Sequence, residues 1–296
     1  PWPVRLKCRF TVIGRCEASK ILLPCRHYNG SETNMRYFNT LPRFVAITGL
    51  VCLLLACSST PTYNASVFPY EIDEQRLAAD RPKTLVIAHV NLGAPSRNYL
   101  EKEAPRIDAM VSTYLKENGY TLLPQREFQQ HWNTAVRAYG DPVDPTSGRV
   151  NMKSFAQIMT GIRDEMRKTT DLDAFVFTDL VEVQTAFSGG LQHVARWHGV
   201  SRKPSLQGPG SGVSTDFDWS MLVAAASLQV SIYDMDLKRV FLSYGGLDVT
   251  EAIDTRSASG RYVRRREILT NDVYIREGIE LAFYPFVPSE NWPGKR

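Results

Sequence analysis

Beyond residue 57 the chain has no cysteine: Cys8, Cys16, Cys25, Cys52 and Cys57 all lie near the amino end of its 296 residues. The rest therefore contains no disulfide, no thiolate metal site and no cysteine nucleophile, and its stability has to come from a core. Charge of one sign is also scarce there. The overall excess is +4, yet residues 1–56 carry eight Lys/Arg and two Asp/Glu, which leaves 27 basic against 29 acidic residues, or −2, for residues 57–296. Such a near-neutral stretch has no long-range field to gather nucleic acid, so nucleic acid is not an expected partner. An apolar share of 43% suffices for a sizeable core, and 22% charged residues is ordinary for a globular domain.

The amino-terminal sixty residues have a different character. The first methionine is Met35. Residues 1–34 are basic, cysteine-rich and without sustained periodicity; they are expected to be translated upstream sequence, with a cytoplasmic extension as the alternative. From Met35 the order is that of a secretory signal: Arg36 and Arg43 supply positive charge, then an apolar run from Phe44 to Ala56 is broken only by Thr48 and Gly49. At thirteen residues it is shorter than the roughly 20 that span a bilayer as a helix. It ends in Leu54-Leu55-Ala56-Cys57, which closely resembles the bacterial lipobox. That resemblance implies a diacylglyceryl group on the Cys57 sulfur and cleavage on its amino side. Ser58 follows, with no aspartate to suggest inner-membrane retention, so the same resemblance implies the outer membrane, periplasmic side. Residues 35–56 are then a signal peptide and 57–83 a lipidated tether, part of which is expected to dock through Tyr63, Phe68, Tyr70 and Ile72.

From Thr84 onward the pattern is that of one domain, 84–296. Thr84 to Val90 is a nearly continuous apolar run, as in a buried central strand. Ile107, Met110, Val111, Tyr114 and Leu115 fall on one helical face, closed by Gly119. Tyr120 to Leu123 is a second strand. Gln125 to Tyr139 is a helix with Phe128, Trp132 and Ala135 inward, and Met152 to Met166 is another whose methionines are core rather than a binding stripe. Strands follow at Ala174–Phe177 with an alternating continuation to Phe187, at Leu191–Val200, at Leu222–Tyr233 and at Val240–Val249, with an edge strand at Tyr262–Leu269. A last helix begins at Thr270 or Asn271 and buries Ile275, Ile279, Ala282, Phe283 and Phe286. The expected fold is α/β (α+β): a single mixed, largely antiparallel sheet of about five or six strands packed with helices.

Candidate chemistry is thin. His193 and His198, at odd separation in a strand, would face opposite ways, and His131 has no ligand partner at i+4. His89 lies in the apolar first strand, where a hydrogen-bonded core histidine is the simpler reading. Gly208 to Gly212 has no lysine and opens no helix, so it does not cradle phosphate. Asp216/Asp218 and Asp234/Asp236 sit in turn-like sequence, and no Gly-x-Ser-x-Gly elbow occurs. No catalytic residue, metal ligand or cofactor is therefore expected. Two features invite function: the Gly/Ser/Pro-rich segment Ser201–Asp218, expected to be a mobile loop, and the group Arg261, Arg264, Arg265 and Arg266. That group suits a partner-binding surface for headgroups, an anionic glycan or an acidic protein, or else a charged edge strand that blocks sheet-to-sheet pairing.

The lipobox, the strand Leu85-Val-Ile-Ala-His-Val90, the helix ending at Gly119-Tyr120 and the late hairpin Ser227–Asp234 with Arg239–Ser243 together resemble one group. It is the α/β domain shared by the TolB amino-terminal domain and the curli-secretion lipoprotein. The resemblance covers residues 84–286 and rests on hydrophobic pattern. It implies a non-enzymatic module of envelope assembly, secretion or regulation, partnered by the bilayer and by an envelope protein. Residues 187–219 are polar and Gly/Pro-rich where a pore would need alternating membrane hairpins. The competing expectation is an envelope hydrolase built from dispersed Asp and His, which would need a polar cleft holding His89 or His193 with two carboxylates.

Overall fold

The computed structural model describes residues 68–88, 98–144, 146–147, 149–188, 193–210, 212–257 and 260–289. Residues 1–67 lie outside it, and with them the signal peptide, the lipobox and Cys57; His89 lies outside as well.

The chain is α/β, with a mixed six-stranded sheet, two smaller sheets and flanking helices. Across the main sheet the order is β1 (Tyr70–Ile72), β9 (Arg239–Val249), β8 (Leu222–Asp234), β4 (Ala174–Ala186), β2 (Thr84–Ala88) and β3 (Thr121–Leu122). β2 runs parallel to both β3 and β4, and the other pairings are antiparallel. The expectation of one sheet was thus too simple. A three-stranded sheet joins β7 (Leu206–Gln207), β10 (Glu251–Asp254) and β11 (Tyr262–Arg264), and β5 (Ala195–Trp197) pairs with β6 (Val200–Arg202).

Alternation along the central strands feeds two cores. Leu85 and Ile87 of β2, with Ala174 and Val176 of β4, face a layer formed by helices α3 (Ala104–Glu117) and α6 (Asp272–Phe283). Val86, Ala88, Phe175 and Phe177 face the opposite layer, α4 (Gln125–Tyr139) and α5 (Met152–Thr169). A strand buried on both sides has no polar alternation, which is why β2 is an unbroken apolar run. The helices end as their sequences imply: Gly119 takes φ +85° after α3, and the Asn271 side chain accepts from Val273 N and Tyr274 N to open α6. Met159 and Met166 are core, while Met152 is 65% exposed at the helix start. Helix α6 reaches β9 closely because both surfaces are glycine at the crossing. A Cβ on Gly245 would lie 1.8 Å from the Gly278 carbonyl oxygen.

Tyr70 and Ile72, through which part of the tether is expected to dock, lie in β1 on the edge of β9, and helix α1 (Glu74–Ala79) follows. Three other segments differ from expectation. The edge strand expected at Tyr262–Leu269 is shortened to β11 and lies outside the main sheet. The strand expected at Leu191–Val200 is broken by a turn at His198-Gly199, where both residues have positive φ, +36° and +85°. Ser201–Asp218 is not a free loop. Its β7 residues pair with Ile253 and Asp254, Gly210 N donates to Thr255 Oγ1 at 3.1 Å, and Phe217 is 4% exposed beside Trp219 and Tyr262. Two-residue strands carry no periodicity, so sequence alone signals only the glycines and proline. Among the described residues no helix is long and apolar enough to cross a membrane.

The last helix supplies a direct test of the packing. Phe283 is fully buried and Val273, on the same helix, is 74% exposed. Phe283→Ala is expected to cost about 3–5 kcal/mol in denaturant unfolding, and Val273→Ala under about 0.5 kcal/mol. Equal effects would show that α6 is not part of the core.

Candidate functional site

The four arginines singled out by sequence sit on β11 or beside its two ends, Arg261 just before it and Arg265 and Arg266 just after, and the strand geometry sends them to different places. Arg265 is turned inward, with its side chain 19% exposed. Its Nη1 donates to Asp248 Oδ2 at 2.6 Å and to the Val249 carbonyl at 2.8 Å. Arg264 Nη1 reaches Thr250 Oγ1 at 2.7 Å and Glu182 Oε2 at 3.1 Å, and its guanidinium lies 4.0 Å from the ring centre of Tyr99. Tyr99, on the short helix α2 (Asn98–Glu101), donates its hydroxyl to the same Glu182 oxygen. Burial, and then this bond to a carboxylate, push the Tyr99 phenol up to about 12. The phenol thus stays protonated as a donor and ties α2 to β4 beneath the Arg264 guanidinium.

Arg261 and Arg256 share one acid. Asp254 is 2% exposed; Arg256 binds it through Nε at 2.8 Å and Nη2 at 3.1 Å, and Arg261 Nε stands 3.6 Å away. The Arg256 hydrogen bonds hold the Asp254 carboxyl down at about 2. Arg266 has an exposed side chain, and its backbone N–H donates to Gln207 Oε1 at 3.3 Å. The group is therefore a layered one: Arg265 serves the interior, Arg264 is held by Glu182, Thr250 and the Tyr99 ring, and Arg261 and Arg266 reach outward.

Other polar clusters hold the fold together. Arg202, 4% exposed, pairs with Glu277 at 2.8 Å and stacks over Tyr274 at 3.9 Å while its Nε donates to the Leu247 carbonyl. Sequence reasoning missed this pair because its partners are far apart in the chain. Asp108, on α3, accepts from Thr178 Oγ1 at 2.7 Å near the carboxyl end of β2, the side of a parallel sheet where crossovers reverse. The expected turn aspartates are turn residues. Asp218 accepts from Ser220 N and Oγ, and Asp234 accepts from Asp236 N and Lys238 N and binds Arg76 at 2.7 Å. His193 lies flat on Trp219, ring centres 3.5 Å apart. Among the described residues no group of three or more His, Cys, Asp or Glu is placed to hold a metal.

One histidine is set in an informative way. His198 Nδ1 lies 2.7 Å from Ser227 Oγ, which also receives the Trp197 indole N–H at 3.1 Å. The Ser227 hydroxyl is then free to donate to a neutral imidazole. Serine and histidine at this distance could suggest a nucleophile and its base, but Ser227 has no exposed surface and no substrate could reach it. The pair instead locks the β5–β6 turn over the sheet. A His-Gly step between two short apolar segments was the available sequence signal, since a two-residue hairpin turn of this kind needs positive φ at both positions.

No protein-family model, curated protein or solved structure matches this chain.

Burial pushes the His198 imidazole down to about 4. Above pH ~6.5 the ring is neutral in both folded and unfolded chains and carries no penalty. Below that the unfolded chain takes up a proton first, so stability falls as pH drops from about 6.5 towards 4. The whole shift corresponds to about 3 kcal/mol, and because the ring is only half-buried, solvent screening cuts the loss to on the order of 2 kcal/mol. His198→Asn keeps a residue suited to positive φ and should flatten this part of the stability–pH curve. An unchanged slope would remove His198 as its source.

Proposed function

We propose that this chain is an outer-membrane lipoprotein whose periplasm-facing α/β domain acts as a non-enzymatic binding or assembly module of the cell envelope. The observation that carries the reading is Leu54-Leu55-Ala56-Cys57 closing a positively charged signal whose apolar run is too short to span a bilayer. The partners in this reading are the bilayer, through acylated Cys57, and an envelope protein. The use of the domain's polar residues also supports it. Arg202–Glu277, Arg265–Asp248, Asp108–Thr178 and Ser227–His198 each join separate segments in or near the core. The resemblance to the TolB amino-terminal and curli-secretion group implies the same class of role.

The spacing of anchor and domain fits a tethered module. Described core residues begin at Phe68, eleven residues after Cys57. At ~3.3 Å per residue that length reaches at most about 36 Å. Two acyl chains, each buried CH₂ contributing about 0.8 kcal/mol, suffice for stable attachment.

Mass spectrometry of the mature amino terminus tests the anchor, together with membrane fractionation. Wild-type protein expressed from Met35 should begin at Cys57, carry lipid mass and sediment with membranes. Cys57→Ser should give an unprocessed precursor, or a soluble form if a different peptidase cuts. A wild-type protein that begins upstream of Cys57, or bears no lipid mass, would sink the reading.

A further inference from the structure

The small sheet β7–β10–β11 separates its charges by depth. Along it and its turns the exposed ionisable side chains are Lys203, Arg256, Arg261, Arg264 and Arg266; the exposed acids among the described residues are Glu267 and, on the segment that brings Phe217 against Tyr262, Asp216 and Asp218. The carboxylates that balance them lie beneath. Asp254 is 2% exposed, the Asp248 side chain is 8% exposed, and Glu251 accepts the Ala224 backbone N–H at 2.9 Å. Two of the cations lie beside β7. Gly208 packs against Arg256, and Gln207 hydrogen-bonds the backbone of Arg266. Leu206, 44% exposed, stands on β7 among them. An outer layer of guanidinium and ammonium heads over buried carboxylates presents a positive surface to anything within the ~8 Å Debye length at physiological salt. An exposed leucine amid those heads adds a group suited to the headgroup–acyl boundary.

We infer that this face docks on an anionic membrane, with the phosphates of lipid headgroups as the groups its cations bind. The inference rests on the lipid-anchor reading for what holds the membrane near. A reach of about 36 Å from Cys57 to Phe68 is shorter than the roughly 44 Å diameter of a sphere with the radius of gyration expected for the domain, ~17 Å. The domain therefore stays at the surface, where even modest attraction selects one orientation. Phe68 belongs to an apolar cluster with Phe187, Trp197 and Val249, and Tyr262 of β11 packs against that cluster. The point where the anchored chain joins the domain and the arginine-bearing hairpin are thus joined through one cluster. Each exposed cation near an anionic surface strengthens partition by about fivefold.

The test uses unlipidated chain starting at Ser58, which holds every described core residue, Phe68 to Val287. Binding is measured to vesicles of phosphatidylcholine alone and with about a third phosphatidylglycerol. The expected result is binding that needs the anionic lipid and disappears near 1 M salt, where the Debye length is ~3 Å. Lys203→Gln/Arg261→Gln/Arg266→Gln leaves the Arg256–Asp254, Arg264–Glu182 and Arg265–Asp248 pairs in place and should weaken binding by about a hundredfold. Lys102→Gln/Lys116→Gln/Lys153→Gln removes the same charge from exposed helical and loop positions and should change it by less than about fivefold. If the first triple variant melts early, Lys203→Gln and Arg266→Gln singly should each cost about fivefold. Equal losses in both triple variants, or no preference for anionic vesicles, would overturn the inference. Retention on poly-glutamate without vesicle binding would overturn it in favour of an acidic protein partner. No lipid on Cys57 is needed in this assay, so its failure is distinct from failure of the anchor itself.

Discussion

Strands β4 and β8 pair without a register shift from Ala174↔Asp234 to Ala186↔Leu222, thirteen residues each. Typical strands run about 5–6 residues, and the helical layers need no more than that to bury their faces. The first residues of β4, Ala174 to Phe177, satisfy both helical cores. The remaining length carries the sheet beyond α4 and α5, and a bare face there would expose Val183, Phe187, Val223 and Ala225. A separate apolar cluster forms instead, in which Phe68, Trp197, Val200 and Leu281 close over those positions. The β5–β6 hairpin, the three-stranded sheet and the arginines are all consequences of covering that extension.

The cover is specified by polar contacts as much as by apolar ones. Gly246 has no room for a side chain, since a Cβ would stand 2.3 Å from Val200 and 2.9 Å from the Trp197 carbonyl. The Gly246 N–H donates to the His198 carbonyl at 2.9 Å, and Trp197 and His198 both bond Ser227. Arg202 then crosses to Glu277 on α6. Replacing such a pair with apolar groups of similar volume is often neutral or better for stability, whereas removing one partner strands a charge. What Arg202–Glu277 contributes is therefore best described as placement: it sets the hairpin against α6 at one level along β9.

Long elements were legible in the sequence because their periodicity repeats enough times to be counted. The interval Gln125–Tyr139 is bounded by Pro124 and Gly140, and its helix occupies those residues and no others. The uninterrupted apolar run at Leu85–Ala88 correctly implied burial on both faces. Residues 201–218 were illegible for the opposite reason. Their order comes from two backbone pairings to Ile253 and Asp254 and from Phe217 entering an aromatic group, and none of these leaves a repeat in the sequence. The same holds for β1, three residues whose place is set by the free edge of β9. Glycine and proline content signals a lack of regular structure, and it does not distinguish a free segment from one pinned by its neighbours.

The run Arg264-Arg265-Arg266 shows how little a cluster of like charges in sequence says about a surface. Alternation about a strand end turns Arg265 to Asp248 and the Val249 carbonyl, where it closes the corner between β9 and β10. Arg264 is held on the other side by Glu182, Thr250 and the Tyr99 ring, so it joins α2 to β4. Neither is free to follow a partner without uncovering an acid: Asp248 would be stranded nearly buried, and Glu182 would lose its counter-charge. Arg266, by contrast, has its backbone fixed by Gln207 and its side chain exposed. A backbone held in place with a mobile charged end loses little conformational freedom on meeting an anion, because only side-chain rotamers are left to order. The two inner arginines thus build the platform on which the outer cations can act.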